Sequence, residues 1–302
     1  MKTDNTLNEN IINENTIGGL LNKASRILTD AGVDNGKAEA RFLMEHVSGI
    51  RLEVLYAKYN DVLDDVTRRR YMNAVKKRTT HYPLQYILGY TYFMDYKFIC
   101  RENVLIPRFD TETLSLHALE LAPRSDAKVL DMCTGSGCIG ITHYLERERE
   151  GYIDDVTLCD ISDDAVRLAR DNAESLGAKV KVIKSDLFSG LRDEDGRPTE
   201  KYNLILSNPP YIKTFEINFL IKDVRDYEPR LALDGSKDGL RFYRLIIRQA
   251  KEFLKPGGSL VLEIGYEQYM DVADILRNEG YRRIRKLTDM SQLDRVVSAC
   301  YD

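Results

Sequence analysis

The sequence predicts an α/β protein: a mostly parallel sheet covered by helices, preceded by a small all-α domain and joined to it through a β-hairpin. Three observations predict it. Beyond Pro123, short runs such as Lys128-Val129-Leu130-Asp131-Met132 alternate with longer segments of helical period, the mark of a parallel sheet with crossover helices. From Ile17 to about Thr80 the period is helical throughout. Between Tyr90 and Ile106, aromatic and β-branched residues alternate with polar ones around Asp95, which reads as a hairpin.

Composition sets the outer bounds. A chain of 302 residues is long enough for two domains, and 43% hydrophobic with 30% charged residues is the balance of a soluble globular protein. A net charge of -4 argues against binding nucleic acid over the whole surface. Five cysteines, odd in number and outside metal-ligand clusters, fit free thiols in a reducing compartment. No stretch approaches the roughly 20 apolar residues of a membrane span. Residues 1–16, rich in Asn and Glu, are not a signal peptide and read as a disordered tail. The expected compartment is the cytoplasm.

In chain order, Leu20, Leu21, Ala24, Ile27 and Leu28 recur at helical spacing until Gly32 closes the helix. Ala38, Phe42, Leu43 and His46 continue in a second helix stopped by Gly49, and Leu52, Leu55 and Tyr56 make a short third. The last helix of this 17–80 domain carries Arg68-Arg69-Arg70 and Lys76-Lys77-Arg78, read as a basic face. Residues 81–110 form the linker: Pro83 breaks the helical pattern, the hairpin follows, and Ile106-Pro107-Arg108-Phe109-Asp110-Thr111-Glu112 leads into a helix that Asp110 or Thr111 could cap. Residues 111–302 form the α/β domain. Its strands are 128–132, 156–160, 180–183, the run into Ser207, 260–264, and two near Ile284 and Val296-Val297. Pro256-Gly257-Gly258 reads as a turn. The stretch from Tyr211 to about Gly239 lacks regular period, which at that length suggests a binding loop.

Two stretches carry chemistry. Ser207-Asn208-Pro209-Pro210-Tyr211 follows the apolar run Leu204-Ile205-Leu206. Consecutive prolines cannot continue a strand, so the chain leaves the sheet at Asn208 in a stiff loop, at the edge where open α/β sheets bind ligands. The Asn208 side-chain oxygen and a neighbouring prolyl carbonyl are two convergent acceptors, which suit a substrate –NH2 group. The Tyr211 ring could pack on the planar group bearing that nitrogen; an ordinary proline-terminated strand is the plain alternative. The second stretch, Asp131-Met132-Cys133-Thr134-Gly135-Ser136-Gly137, is a strand-to-helix turn with glycines where backbone approaches a ligand. Asp160 ends the next strand and suits a ribose diol, and Asp186 ends the third and could accept from an adenine amino group. Gly135, Gly137 and Gly140 formally match a dinucleotide fingerprint. Asp131 argues otherwise, because an acid there repels a pyrophosphate but suits a cationic amino acid bearing a sulfonium. S-adenosylmethionine has both cations.

The ordered series Pro83-Leu84-Gln85-Tyr86-Ile87-Leu88-Gly89, Ile106-Pro107-Arg108, Thr111-Glu112, Thr134-Gly135-Ser136-Gly137-Cys138-Ile139-Gly140, Asp160-Ile161-Ser162, Asn208-Pro209-Pro210-Tyr211-Ile212, Tyr227-Glu228-Pro229 and Asp238-Gly239-Leu240 resembles the release-factor glutamine methyltransferases, the PrmC/HemK family. The resemblance covers nearly everything after about Ile17. It implies a Rossmann-like class I methyltransferase sheet of seven strands and methylation of the glutamine amide in the Gly-Gly-Gln loop of peptide-chain release factors. The cofactor implied is S-adenosylmethionine, leaving as S-adenosylhomocysteine. Its contacts carry over to Asp131, Cys133, Thr134, Gly135, Ser136, Gly137, Asp160, Ile161, Asp186, Leu187 and Asn208. Catalysis carries over to Asn208 and Pro209, and substrate contacts to Asn208, Pro209, Pro210, Tyr211, Arg108 and Glu112. The helical domain becomes a docking surface for the release factor. A monomer with neither nucleic-acid nor membrane partners is expected. Two departures stand out: Cys133 where the family has Gly, and Phe109-Asp110 where it has Pro-Glu. The other readings are a ribosomal-protein glutamine methyltransferase, a DNA or RNA adenine methyltransferase using the same loop on a flipped base, and a non-catalytic S-adenosylmethionine-binding module.

Overall fold

A computed structural model describes residues 15–302. The tail expected over residues 1–16 falls, up to residue 14, outside the described residues. The chain divides into two units, one ending at Leu88 and the other starting at Gly89.

The first unit is helical. Thr16 starts α1 (Ile17–Asp30), its hydroxyl accepting from Gly19 N at 3.1 Å. Then come α2 (Gly36–Ser48), ended by left-handed Gly49, the short α3 (Leu52–Leu55), and α4 (Asp65–Arg78), capped by Asp64. Leu20, Leu28, Leu43, Met44, Tyr71 and Val75 close a core of their own. Residues 71, 75 and 78 follow one helical stripe, so Arg78 faces inward with Tyr71 and Val75. Its Nε and Nη2 donate to Glu39 Oε2 and Oε1 at 2.5 and 3.2 Å. The expected basic face therefore loses Arg78, and Arg68 is paired with Asp65 at 2.7 Å. Arg69, Arg70 and Lys76 remain exposed. Directly after Pro83 the chain turns once more as α5 (Leu84–Leu88), inside the expected linker.

The second unit opens with β1 (Tyr90–Phe93) and β2 (Tyr96–Ile99), an antiparallel hairpin. Its tight turn holds Met94 and Asp95 at φ 45° and 66°. A 3-10 turn at Phe109–Thr111 runs straight into α6 (Glu112–Leu121), without the expected capping bond from Thr111.

The sheet follows: β3 (Lys128–Met132), α7 (Cys138–Arg149), β4 (Asp155–Asp160), α8 (Asp163–Leu176), β5 (Lys181–Lys184) and β6 (Tyr202–Ser207). Beyond β6 the aperiodic stretch holds a 3-10 turn at Glu216–Phe219 and two single α-helical turns, α9 (Lys222–Arg225) and α10 (Arg230–Leu233). Then come α11 (Arg241–Phe253), β7 (Leu254–Glu263), α12 (Tyr269–Asn278), β8 (Arg282–Thr288) and β9 (Asp294–Tyr301). The seven strands lie in the order β5-β4-β3-β6-β7-β9-β8, all parallel except β9, which is antiparallel to both neighbours. This is the mostly parallel, Rossmann-like sheet of seven strands expected from the sequence. Its strands are buried on both faces: Leu130, Ile205 and Leu260 pack under α11 and α12, and Val129, Leu204 and Val261 under α6, α7 and α8. The expected Pro256-Gly257-Gly258 turn is instead absorbed into β7, which passes through it with a register shift opposite Tyr202 and Leu204.

Candidate active site

Register alone assembles the site. Met132 pairs with Cys159 on one side and with Ser207 on the other, and Ser207 pairs with Leu262. One step further along each strand, Asp160, Cys133, Asn208 and Glu263 stand in a row along the carboxyl edge. The chain runs outward from β3 to β5, then returns to β6 and runs the other way, so the strand order reverses between β3 and β6. That is where open α/β sheets leave a crevice. A cavity of about 450 Å3 lies there, lined by Asn208 and Pro210, by residues 132–136, by Asp160 and Ile161, and by Asp186 and Leu187. Its volume is that of a small-molecule site.

The glycine turn is built for close approach. Gly135 has φ 55°, and a Cβ added to it would meet nothing nearer than Val104 Cγ1 at 4.0 Å, on the cavity side. Gly140 serves packing, since its Cβ would meet Leu158 Cδ2 at 2.2 Å and Asp131 Cβ at 2.9 Å. Asp131 itself is fully buried beneath the turn and does not line the cavity. Its Oδ2 accepts from Thr134 Oγ1 at 2.5 Å and from Gly140 N at 3.0 Å. Oδ1 has no hydrogen-bond partner among the described residues. Burial pushes this carboxyl up to about 7, against the pull of those two donors. The amide that a pyrophosphate would use at the start of α7 is already taken by an acid, so the formal dinucleotide match is a packing motif here. Cys133 stands at φ 59°, a left-handed conformation where the family resemblance has Gly; burial pushes its thiol up.

Asp160 faces the cavity. Its Oδ2 accepts from Gly135 N at 2.9 Å and its Oδ1 from Ser162 N at 3.0 Å. The Ile161 amide also acts on this carboxylate; a carboxylate has about four acceptor positions, so the backbone does not use them all and capacity is left for a hydroxyl. Leu187, three residues past β5, holds φ 47°, with the Ser185 hydroxyl donating to its carbonyl. Gly137, with φ 85°, stays outside the cavity against Ile141 and Ala169. The open cradle at Gly135 and the spare acceptors of Asp160 fit an adenosyl group.

The Asn208 side of the cavity is clamped. Asn208 Nδ2 donates to Thr111 Oγ1 at 3.3 Å, which leaves the side-chain oxygen as the group's unused acceptor. Ser207 Oγ ties β6 to β3 through Met132 O at 2.7 Å. Pro210 lines the cavity; Pro209 is buried just behind it. The Tyr211 ring, expected over the substrate, does not line the cavity: its hydroxyl donates to Glu263 Oε1 at 3.2 Å. Arg108 lines the cavity and donates to buried Glu228 at 2.6 Å. Glu112 faces elsewhere, accepting from Met94 N at 2.8 Å to hold the hairpin turn.

Several residues escaped the sequence reading. Glu263 is 2% exposed, beneath the Asn208 loop. Gln268 Nε2 donates to Tyr211 O at 3.0 Å and so holds the loop's far end. Asn172, fully buried on α8, accepts from Ile99 N at 2.7 Å and donates to Ser136 O at 2.9 Å, joining hairpin to glycine turn. The stretch read as linker also supplies a cavity wall, residues 103–108. A charged residue inside the apolar run Leu260-Val261-Leu262-Glu263-Ile264 was the available signal for Glu263.

Residues 19–89 match the PrmC N-terminal domain family, and residues 107–224 match the methyltransferase small domain family. The release factor glutamine methyltransferase of Geobacter sulfurreducens is 37% identical over 282 residues, spanning 93% of this chain and 95% of that one. The release factor glutamine methyltransferase of Moorella thermoacetica is 38% identical over 290 residues, 94% of this chain and 98% of that one. Among solved structures, the release factor-specific protein-(glutamine-N5) methyltransferase of Alicyclobacillus acidocaldarius aligns with 65% of this chain and 94% of its own, at 30% identity and a TM-score of 0.40.

Proposed function

This chain belongs to the release factor glutamine methyltransferase family, and from that premise we propose that it transfers a methyl group to the side-chain amide nitrogen of the Gly-Gly-Gln glutamine of peptide-chain release factors. S-adenosylmethionine, when bound, supplies an electrophilic sulfonium methyl. The residues that would hold it are Cys133, Thr134, Gly135 and Ser136 at the turn, Asp160 with Ile161 at the ribose, and Asp186 with Leu187 at the base. Asp131 and Gly137 support that turn from below.

The observation that carries the reading is the orientation of Asn208. Because its NH2 is spent on Thr111 Oγ1, its Oδ1 is the atom offered to the cavity, and an oxygen accepts from an incoming amide NH2. The second acceptor is the carbonyl of the peptide joining Pro209 to Pro210. A proline nitrogen has no hydrogen with which to compete for it. An amide nitrogen is a weak nucleophile because its lone pair is delocalised into its carbonyl. Holding both its hydrogens fixes the nitrogen's attitude and favours the positive charge that grows on it. No side-chain base is needed, because a methylated, charged amide is acidic enough to lose its proton late. Burial of Pro209 and Pro210 makes the acceptors stiff, which is alignment obtained before the substrate arrives.

The test is incubation with labelled S-adenosylmethionine and intact release factor, with the label located by mass spectrometry. Label on the Gly-Gly-Gln glutamine is the expected result. Label on ribosomal protein or nucleic acid with release factor unmodified would overturn the proposal. Asn208→Ala should lower turnover about 10²–10³-fold while cofactor affinity changes far less.

A further inference from the structure

A buried carboxylate needs a reason to be buried, since taking a charge out of water costs several kcal/mol unless partners compensate. Glu263 is 2% exposed, and burial pushes its pKa up. Its compensation is thin. Tyr211 OH donates to Oε1 at 3.2 Å, and Oε2 has no hydrogen-bond partner among the described residues. Arg295 acts on it from a distance, but that guanidinium is held by Asp289, at 3.1 Å from Nε and 3.0 Å from Nη2. Asp110, 3.5 Å from the same guanidinium, adds a like charge. Tyr243 OH donates to the Glu263 backbone carbonyl at 2.9 Å, not to its side chain. As a stability device the residue is poor.

Its surroundings suggest another use. The Thr111 hydroxyl lies beside the Glu263 carboxyl and lowers its pKa, while its oxygen takes the Asn208 NH2 at 3.3 Å. A hydroxyl has one hydrogen and two lone pairs. Where that carboxyl is ionised it can only accept, so the hydrogen turns toward the acid. The lone pairs then face Asn208, which must present its NH2 to them. Remove the charge and the hydroxyl is free to rotate and donate to the Asn208 oxygen, which turns the side-chain amide over.

We infer that Glu263 is a positioning residue: through the Thr111 hydroxyl it fixes which end of the Asn208 carboxamide faces the cavity, and through Tyr211 it anchors the far end of the same loop. This rests on the role given to Asn208 above. Glu263→Gln is nearly isosteric but offers an NH2 where the acid offers only acceptors. A misdirected acceptor belongs among positioning errors, which cost about 10²-fold in rate.

The experiment compares Glu263→Gln, Thr111→Val, the double variant and Thr111→Ser in the full chain. In Glu263→Gln, kcat on release factor is expected to fall about 10- to 100-fold. The cofactor Kd should stay within about threefold, and Tm should be unchanged or raised, because a poorly paired buried charge is gone. A purely structural acid would instead lower Tm. The double variant should be no slower than the slower single one, because both act through the same hydroxyl; Thr111→Ser, which keeps that hydroxyl, should restore most of the rate lost in Thr111→Val. A Glu263→Gln enzyme within twofold of wild type, or single effects that multiply in the double variant, would overturn the inference. If Glu263→Gln does not fold, Thr111→Val decides alone, and near-normal kcat there overturns it. The Asn208 side-chain amide signals in 15N NMR, identified by their loss in Asn208→Ala, need no substrate. They should move in both Glu263→Gln and Thr111→Val, and signals that stay in place in both count against the inference. A wild type inactive on release factor but with those shifts would instead sink the substrate reading alone.

Discussion

Cys133 and Asp131 sit side by side at one strand end, and each stores a different cost. Cys133 holds φ 59°, a conformation that costs a non-glycine residue about 1–3 kcal/mol. Cys133→Gly relieves it, but glycine adds about 0.5–1 kcal/mol of unfolded-state entropy. Urea denaturation should therefore show unchanged or slightly higher stability, and cofactor Kd should stay within about tenfold, or 1.4 kcal/mol. A larger loss of binding would give the thiol a contact of its own. Asp131 stores a charge cost. Its folded pKa, about 7, lies above the ordinary carboxylate value near 4, so the fold favours the protonated form. The stability this contributes is fully present below about pH 4 and is lost as pH rises through about 7, on the order of a few kcal/mol at most. Asp131→Asn keeps an acceptor for Thr134 and Gly140 N but cannot ionise. Wild type should thus lose stability relative to the variant between about pH 4 and 7; parallel curves would mean that the acid ionises freely. The sequence showed both residues because each breaks a local pattern: a cysteine among glycines, an acid in a strand. Glu263 breaks one equally well, but its meaning depends on Thr111 and Asn208, which lie far away in sequence and meet only through strand order.

At the scale of elements, the glycine turn works because α7 lies close on β3 and β4. Gly140 sets that distance, with space for no Cβ against Leu158 and Asp131. Gly140→Ala should force the helix away at a cost of about 1–3 kcal/mol, and should weaken cofactor binding, since the Gly135 amide bound to Asp160 rides on the same turn. Gly177→Ala is the control for volume: a Cβ there meets nothing within 4 Å, although its φ of 73° is strained for any side chain. Calorimetry with and without cofactor separates them, since both should lower Tm but only Gly140→Ala should lower affinity. Equal affinities in the two variants would show that the spacing is irrelevant to the site. The strands around this turn were legible because parallel strands buried on both faces are continuous apolar runs. The stretch from Tyr211 to Gly239 was legible only as aperiodic. It is held by backbone bonds such as Ile212 N to Leu233 O at 3.0 Å and Gly235 N to Ile212 O at 2.8 Å, which leave no mark on side-chain pattern. Arg78 was misread for the opposite reason: the cluster of basic letters hid a helical stripe that placed it inside.

For the whole molecule, the question is how a single glutamine on a large partner is delivered to its site. Binding energy from remote contacts normally appears in turnover as well as in KM, so a short Gly-Gly-Gln peptide should be a poor substrate even though its reacting group is complete. The helical unit supplies a candidate remote surface, and the structure narrows which residues can serve. Arg78 is committed to Glu39 and Arg68 to Asp65, whereas Arg69, Arg70 and Lys76 are exposed on α4. Their charges do little for the fold, because exposed charges contribute about 0–1 kcal/mol each. Replacing all three by Glu should leave Tm nearly unchanged, while Arg78→Ala, which empties a buried site and leaves the partly exposed Glu39 without its partner, should destabilise by about 1–3 kcal/mol. If the unit docks an acidic surface of the release factor, the triple variant should lose about tenfold in kcat/KM on intact protein at low salt. The deficit should shrink as ionic strength rises and screening shortens to about 3 Å at 1 M. Activity on the peptide should be the same as wild type at every salt concentration, because the peptide carries none of the release factor's remote surface. An equal loss on peptide and protein would place the effect in the α/β unit, and no loss on either would remove the basic face from docking altogether.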